Sequence, residues 1–190
     1  YNYYFDAHAL LFGLAQLDQW RVAVLVDEAH NLVERGRAMY SASFDQGQLL
    51  TLRQSKPQGL SSALDRLNRQ WNALHKDQRV PYQAGERLPE AFIGALQQCV
   101  GLIQEQLNQS PLGIDPLLLQ FFFQALQFTR IAELFDEHFL FDVSVRNGPR
   151  NRRLSTLCLR NVVPARLLGP RFSAARSVTL FSATLSPRHY

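Results

Sequence analysis

Val22-Ala23-Val24-Leu25-Val26-Asp27-Glu28-Ala29-His30 is the stretch of sequence that decides the fold. Five consecutive apolar residues, three of them β-branched, end abruptly in two carboxylates. A short, continuous apolar run predicts a strand that is buried on both faces, as in a parallel sheet covered by helices. Ligands of such sheets bind beyond the carboxyl ends of the strands, where Asp27 and Glu28 are expected to emerge. The alternative is a strand that simply ends in an acidic helix cap.

A second apolar, β-prone run lies near the other end of the sequence. Ser177-Val178-Thr179-Leu180-Phe181 leads directly into Ser182-Ala183-Thr184-Leu185-Ser186-Pro187. Ser-Ala-Thr alone is weak evidence, because Ser and Thr after a strand are usually turn residues. Taken together with the acids of the first run, it resembles motif III of superfamily-two helicases, as Asp27-Glu28-Ala29-His30 resembles their motif II. In such P-loop nucleotidases, acids after an apolar strand hold magnesium on a nucleotide.

The long separation of these two motifs is similar to that in the XPD/DinG group of iron–sulfur DNA helicases, which carry an insertion called the Arch domain there. The resemblance extends upstream, where Tyr1-Asn2-Tyr3-Tyr4-Phe5-Asp6 is similar to an Asn-Tyr-rich segment ahead of motif II. It also covers Cys158 to Pro187, whereas the middle, from about Ser41 to Arg153, is matched only by its position and helical character.

The resemblance implies a role for each matched residue. Asp27 would bind Mg²⁺, because a hard cation prefers carboxylate oxygen. Glu28 would orient and deprotonate the water that attacks the γ-phosphate of ATP. His30 would bridge to Ser182 and Thr184 and so couple the nucleotide state to the DNA-binding surface, although a lone histidine here would more simply cap a helix.

Several parts of such a helicase do not occur in this sequence. There is no Gly-x-x-x-x-Gly-Lys-Ser/Thr phosphate loop and no set of four cysteines. The ligands of an iron–sulfur cluster, if the parent protein has one, would lie outside this chain, as would the second motor domain with its arginine finger. Because the only methionine is Met39 and the first residue is Tyr1, we expect an excised fragment that does not hydrolyse ATP by itself.

The composition favours a globular protein, with 46% hydrophobic residues among 190. Apolar runs are much shorter than the roughly 18 residues that a membrane span needs. Cys99 and Cys158 lie far apart and are expected to be buried thiols rather than a disulfide. We therefore expect a cytoplasmic, nucleoid-associated bacterial protein with no membrane partner.

Basic residues are concentrated in the last quarter of the chain. From Val143 onward there are nine arginines and no acid, although the whole chain has a net charge of only +4. This asymmetry predicts an anionic partner, single-stranded or forked DNA. Alternatively, a missing part of the parent protein supplies the balancing acids.

A β-hairpin is expected to present several of these arginines. Alternation predicts strands over residues 139–145 and 154–162, joined by the turn Asn147-Gly148-Pro149. Near the exposed tip, guanidinium groups could reach phosphates without burying charge. The alternative is that they pair with acids such as Glu133, Asp136 and Glu137. The candidate DNA-binding residues are Arg146, Arg150, Arg152, Arg153 and Arg160.

The predicted fold class is α+β and predominantly α-helical. Residues 1–38 and 160–190 would form part of a RecA-like motor domain with a parallel sheet, and residues 39–159 an Arch-like helical insertion with the small hairpin. Periodicity predicts helices over residues 6–18, 31–40, 90–109 and 116–136, one through Leu49 to Leu52 capped by Asp45, one from Ser61 or Ser62 to Leu74, and one from Pro164 to about Ala175. A short strand is predicted at 41–44 and a loop at 81–89.

The run from Leu117 to Phe123 is apolar nearly all round, which predicts deep burial, with stacking on nucleic-acid bases as the less favoured alternative.

Two classes of function follow from these patterns. In the first, the chain is part of an ATP-dependent DNA helicase whose insertion guides a single strand or splits the duplex, and the resemblance implies 5′-to-3′ polarity. In the second, it is a protein-interaction module of a helicase-like protein without motor activity, and the insertion docks a partner. Asp27 and Glu28 favour the first.

Overall fold

The structure, a computed structural model, describes residues 2–7, 9–109, 115–148 and 152–183. It is a predominantly helical α+β fold, as predicted, with a small parallel sheet and a larger antiparallel one. The chain divides into two compact units. Unit 1 comprises residues 1–41 and 161–190, and unit 2 comprises residues 42–160.

Unit 1 contains a two-stranded parallel sheet and short helices. Its elements are α1 (Asn2–Phe5), α2 (Leu10–Leu17), β1 (Ala23–Val26), a 3₁₀ turn (Ala29–Asn31), α3 (Leu32–Met39), α8 (Ala165–Ala174) and β6 (Ser177–Leu180). Strands β1 and β6 pair in parallel, with Ala23 opposite Ser177 and Val26 opposite Leu180. The predicted parallel pairing of these two strands is therefore confirmed.

Two sequence expectations for unit 1 are corrected. Strand β1 is buried on one face only, because Val24 and Val26 point into the unit while Leu25 is 72% exposed. Helix 6–18 is in fact α2, which begins at Leu10 after the separate turn of helix α1.

A hub at Arg171 holds the helices of unit 1 together. Its guanidinium donates hydrogen bonds to the hydroxyl of Tyr40 at 2.9 Å and to the carbonyl of Tyr4 at 3.1 Å. It also lies 4.4 Å from the ring centroid of Phe12. At Gly36, a β-carbon would come within 3.0 Å of Leu168 and Pro164, so α3 and α8 approach each other closely there.

Unit 2 packs four helices against a four-stranded sheet. Its elements are β2 (Ala42–Asp45), α4 (Gln46–Ser55), α5 (Ser61–His75), β3 (Tyr82–Gly85), α6 (Glu90–Gln109), α7 (Pro116–Glu133), β4 (Phe139–Asn147) and β5 (Arg153–Asn161). The strand order is β2-β5-β4-β3, and β2 with β5 and β3 with β4 are antiparallel. The predicted hairpin is present as neighbouring strands β4 and β5, with a hydrogen bond of 2.7 Å from Gly148 N–H to the carbonyl of Arg152.

Aromatic side chains fill the core of unit 2. Phe44 on β2 packs against Trp71 on α5 and Phe121 on α7, with centroids 5.1 and 5.3 Å apart. Phe92 on α6 completes the cluster edge-to-face with Trp71 at 5.2 Å. All four side chains are at most 1% exposed. Phe44 thus joins the sheet to α5 and α7, and Trp71 connects α6 to the same core.

Two sequence expectations for unit 2 are corrected as well. The loop predicted at 81–89 contains β3, an edge strand whose four residues are all exposed, so that no apolar alternation marks it. The apolar run of α7 is only partly buried, because Leu117 and Phe123 are 44% and 58% exposed while Phe121 and Phe122 face the core. Across the described helices, none is long and apolar enough to cross a membrane.

Candidate functional site

The candidate site of unit 1 lies where the two parallel strands end. Backbone pairing continues beyond them, because Phe181 N–H donates to the carbonyl of Val26 at 3.0 Å and Ala29 N–H donates to the carbonyl of Phe181 at 3.1 Å. These bonds hold the segment after β1 beside the segment after β6. Polar residues from opposite ends of the sequence therefore emerge at the same sheet edge.

Glu28 has a left-handed backbone conformation, with φ of 51° and ψ of 46°. Residues other than glycine rarely adopt this conformation, which costs on the order of 1–3 kcal/mol and persists only where the surroundings hold it. The Glu28 N–H donates to Oδ1 of Asp27 at 2.7 Å, which supports the sharp change of direction from strand to 3₁₀ turn. Such strain is concentrated at functional sites, so this residue is a candidate for chemistry.

Three side chains at this edge form a hydrogen-bonded triangle. The Ser182 hydroxyl donates to Oε2 of Glu28 at 3.2 Å, and Nδ1 of His30 lies 2.8 Å from the Ser182 oxygen. His30 Nδ1 is also 3.2 Å from Oε2 of Glu28. Because the hydroxyl proton is directed to the carboxylate, the ring N–H of His30 is the natural donor to the serine oxygen. We call Glu28, His30 and Ser182 the triangle.

The triangle brings together three residues that sequence analysis selected, and it joins positions 152 and 154 residues apart. Glu28 and His30 are exposed, so the triangle can reach a ligand. The predicted partner Thr184 lies outside the described residues.

Asp27 is exposed at the end of β1, beside the triangle. Within the described ranges, no group of three or more His, Cys, Asp or Glu side chains converges on a metal position. A single exposed carboxylate fits Mg²⁺ as nucleotide enzymes hold it, through one or two carboxylates with substrate phosphates and water. It does not fit a site built wholly from protein ligands.

The predicted DNA-binding arginines of unit 2 differ in their contacts. Arg146 forms an ion pair with Asp45 at 2.7 Å, and Arg160 forms one with the buried Asp142 at 2.9 Å. Arg153 donates to the carbonyl of Gln78 at 2.6 Å. The alternative of ion pairing therefore holds for Arg146 and Arg160, although the acids differ from Glu133, Asp136 and Glu137. Arg152 is exposed, and Arg150 is outside the described residues.

Asp45 has a larger role than the helix cap that its position predicted. Its Oδ1 accepts from Gly47 N–H at 2.8 Å, which caps α4, and its Oδ2 accepts from Thr156 at 3.0 Å and from Arg146. Burial alone would raise the pKa of this carboxyl, but the hydrogen bonds from Arg146, Thr156 and Gly47 outweigh it and lower the pKa.

Sequence reasoning missed a buried polar network in unit 2. Nε1–H of Trp71 donates to the Ser155 hydroxyl at 2.8 Å, and Nδ1 of His75 lies 2.9 Å from the same oxygen. Ser155 N–H donates to the Gln46 side chain at 3.1 Å. Burial and the charge of Arg153 lower the pKa of His75, so the neutral ring is favoured. Spacing could have placed Trp71 and His75 on one helix face, but nothing local indicates Ser155.

Comparison with known proteins found no matching family model and no matching curated protein. Function is therefore inferred from the contacts described above together with the motif resemblance.

Proposed function

We propose that this chain contributes motifs II and III to an ATP-dependent DNA helicase motor of the XPD/DinG type. The observation that carries this proposal is the triangle of Glu28, His30 and Ser182, formed at the end of two adjacent parallel strands. Unit 2 takes the place of the Arch-like insertion that guides a single strand or splits the duplex. The phosphate loop and the arginine finger are assigned to polypeptide outside these 190 residues, with 5′-to-3′ polarity as the resemblance implies.

Each residue at the strand ends has a defined task in ATP hydrolysis. Asp27 would hold Mg²⁺ from the end of β1, and a bound ion would supply neutralisation of the phosphate charge. Glu28 accepts a proton from the attacking water. At the same time the water oxygen forms a bond to the γ-phosphorus, and the bond between that phosphorus and the ADP oxygen breaks. The Glu28 carboxylate lies at the end of β1, where it accepts from the Ser182 hydroxyl.

The triangle supplies a route from nucleotide to nucleic acid. Ser182 follows β6 and donates to the same carboxylate that would act as the base. When Glu28 reorients toward water, the Ser182 hydroxyl and the His30 ring lose or change partners. The contacts of the segment after β6 would thereby change when the nucleotide binds. This is the coupling role that the resemblance to motif III implies.

A second candidate function is docking of a protein partner by unit 2, without motor activity. It is favoured by Leu117 and Phe123 of α7, which are 44% and 58% exposed. Large apolar side chains on one helix suit an interface with another protein. ATP turnover that depends on Glu28 would favour the motor role, and turnover independent of Glu28 would favour docking.

Substituting Glu28→Gln in the helicase that contains this chain tests the motor proposal. The amide keeps the shape and the Ser182 hydrogen bond but cannot accept the proton, so DNA-stimulated kcat should fall at least about 10²-fold. The Kd of a fluorescent ATP analogue should remain within about threefold, because the amide keeps the shape of the side chain. Such a change is well below the roughly 1.4 kcal/mol that corresponds to tenfold. The 190-residue chain alone should not hydrolyse ATP.

Glu34→Gln is the matched control, since Glu34 is an exposed glutamate on α3 that pairs with Arg37. It should leave kcat unchanged. Turnover by the Glu28→Gln helicase close to that of the Glu34→Gln control would refute the role of Glu28 as the base and favour the docking function.

A further inference from the structure

An open groove in unit 2 lies between the end of α5 with its following loop and the β4–β5 hairpin. Its volume is about 610 Å³, and its basic lining residues are Lys76, Arg79, Arg146 and Arg153. The acid that lines it is Asp77. A second cavity of about 460 Å³ adjoins it, because Lys76 and Arg153 line both, and Arg69 extends the basic lining there. We call the two cavities together the basic groove.

The charge of the basic groove is only partly balanced by protein groups. Arg146 is paired with Asp45, whereas Arg69, Lys76, Arg79 and Arg153 form no ion pair with any residue that the structure describes. All five basic residues are exposed. An array of unneutralised cations along a concave surface attracts an extended polyanion, since field lines concentrate in such a cleft.

A buried histidine lies at the wall of the basic groove, within reach of the Arg153 charge. His75 lines the second cavity although it is only 6% exposed. Its pKa is lowered by burial and, in addition, by the charge of Arg153. Arg153 itself is fixed by its hydrogen bond to the carbonyl of Gln78, so its charge stays at the junction of the two cavities.

We propose that the basic groove binds the sugar-phosphate backbone of single-stranded DNA, with Lys76 and Arg153 at its centre and Arg69 and Arg79 in its two branches. The choice of DNA rests on the proposed helicase function, whereas the site itself rests on the cavities and their charge. This site differs from the exposed hairpin arginines of the sequence prediction, because three of its cations come from α5 and the following loop. Arg160 is excluded, since Asp142 neutralises it.

Basic side chains in a groove recognise phosphates without reading base sequence. Four contacts, one from each basic-groove cation without an ion pair, would give a log–log dependence of affinity on salt with a slope of roughly −2.8, from about −0.7 per phosphate on single strands. An acidic peptide presents carboxylates in place of a phosphate backbone, and a duplex would give a steeper slope per contact. These alternatives can therefore be separated by measurement.

The test uses the complete 190-residue chain, without ATP, and a fluorescein-labelled oligothymidylate of about 20 nucleotides, longer than the 4–16 that small single-strand sites cover. Fluorescence anisotropy gives the affinity at several salt concentrations for wild type and for the triple variant Arg69→Gln, Lys76→Gln and Arg79→Gln. We expect the variant to bind at least about tenfold more weakly at low salt, with the slope reduced to roughly −0.7, the value for the remaining contact at Arg153. Competition by unlabelled duplex and by a polyglutamate peptide should be weaker than by the single strand.

Lys56→Gln, Arg87→Gln and Arg130→Gln together form the matched control. These three residues are exposed in unit 2 and lie outside the basic groove. Like the test variant, the control replaces one lysine and two arginines and so removes the same charge. The control should keep most of the affinity. Equal losses in the two triple variants, no binding by the wild type, or stronger competition by duplex or peptide would each overturn the proposal.

Circular dichroism melting of each variant excludes unfolding as the cause of a loss. The assay contains no ATP, so its failure would leave the ATPase role of Glu28 standing. Conversely, an inactive motor would not remove binding by the basic groove.

Discussion

The two tryptophans of this protein show how differently its two units are built. Trp20 of unit 1 is 49% exposed, whereas Trp71 of unit 2 is fully buried between Phe44 and Phe92 and donates its N–H to Ser155. Apart from Tyr40, the largest fully buried side chains all belong to unit 2. Unit 2 thus encloses its own core, whereas unit 1 presents apolar side chains and the triangle at its surface.

Because of this difference, the closed core and the candidate site belong to different units. In unit 1, the face of the parallel sheet that carries Leu25 is exposed, as are Leu180 and Phe181 beside the triangle. The candidate site is therefore positioned by strand pairing and by the strained turn at Glu28 rather than by a closed core. In unit 2, a closed core supports an exposed basic groove.

The largest expected contrast is between leucines of the two units. Leu67→Ala removes a side chain that is 0% exposed on α5, and it should lower the free energy of unfolding by about 2–5 kcal/mol through lost burial and the cavity left behind. Leu25→Ala, at a side chain that is 72% exposed, should change it by no more than about 0.5 kcal/mol.

Urea unfolding followed by far-UV circular dichroism, to which the helices of both units contribute, gives these values. A loss at Leu25 as large as that at Leu67 would show that the face of β1 is covered in solution. The comparison of the units would then be wrong.

A smaller effect is expected where the groove meets the sheet. Asp45→Ala removes the α4 cap and the ion pair with Arg146 and should cost about 1–3 kcal/mol. Asp45→Asn keeps a capping oxygen but loses the charge, so it should cost about half as much. If both variants are equally unstable in urea, the cap contributes nothing and the charge accounts for the whole effect.

Local patterns in the sequence were sufficient for several elements. The helical spacing of apolar residues gave α6 its observed bounds, Glu90–Gln109, and the apolar runs of β1 and β6 indicated a parallel pair. Motif identity then brought Glu28, His30 and Ser182 into one hypothesis, and the structure places their side chains in contact.

Other features depend on contacts that no local pattern contains. Strand β3 exists because its backbone pairs with β4, although its side chains are all exposed and carry no alternation. Arg146 pairs with an acid 101 residues away, and that acid was predicted only as a cap. Burial on both faces was wrongly expected for β1, because an apolar run cannot tell how many of its faces the chain covers.

The smallest expected effect concerns His75, the buried group at the wall of the basic groove. Burial and Arg153 hold its pKa below the ordinary value of 6.5, so the unfolded chain binds a proton there more readily than the folded one. Neutral His75 therefore contributes stability that is present above pH 6.5 and is lost as the pH falls toward the lower pKa of the folded state.

In His75→Gln, whose amide can still meet Ser155, the free energy of unfolding should depend less steeply on pH between about 7.5 and 5.5. The other histidines are present in both proteins, so the difference between the two urea-unfolding series isolates His75. Oligothymidylate in the groove would offset the charge of Arg153 and raise the pKa of His75, which should flatten the wild-type curve toward that of the variant. Parallel curves for wild type and variant would show that His75 titrates alike in both states, and the positive field inferred at the groove wall would be absent.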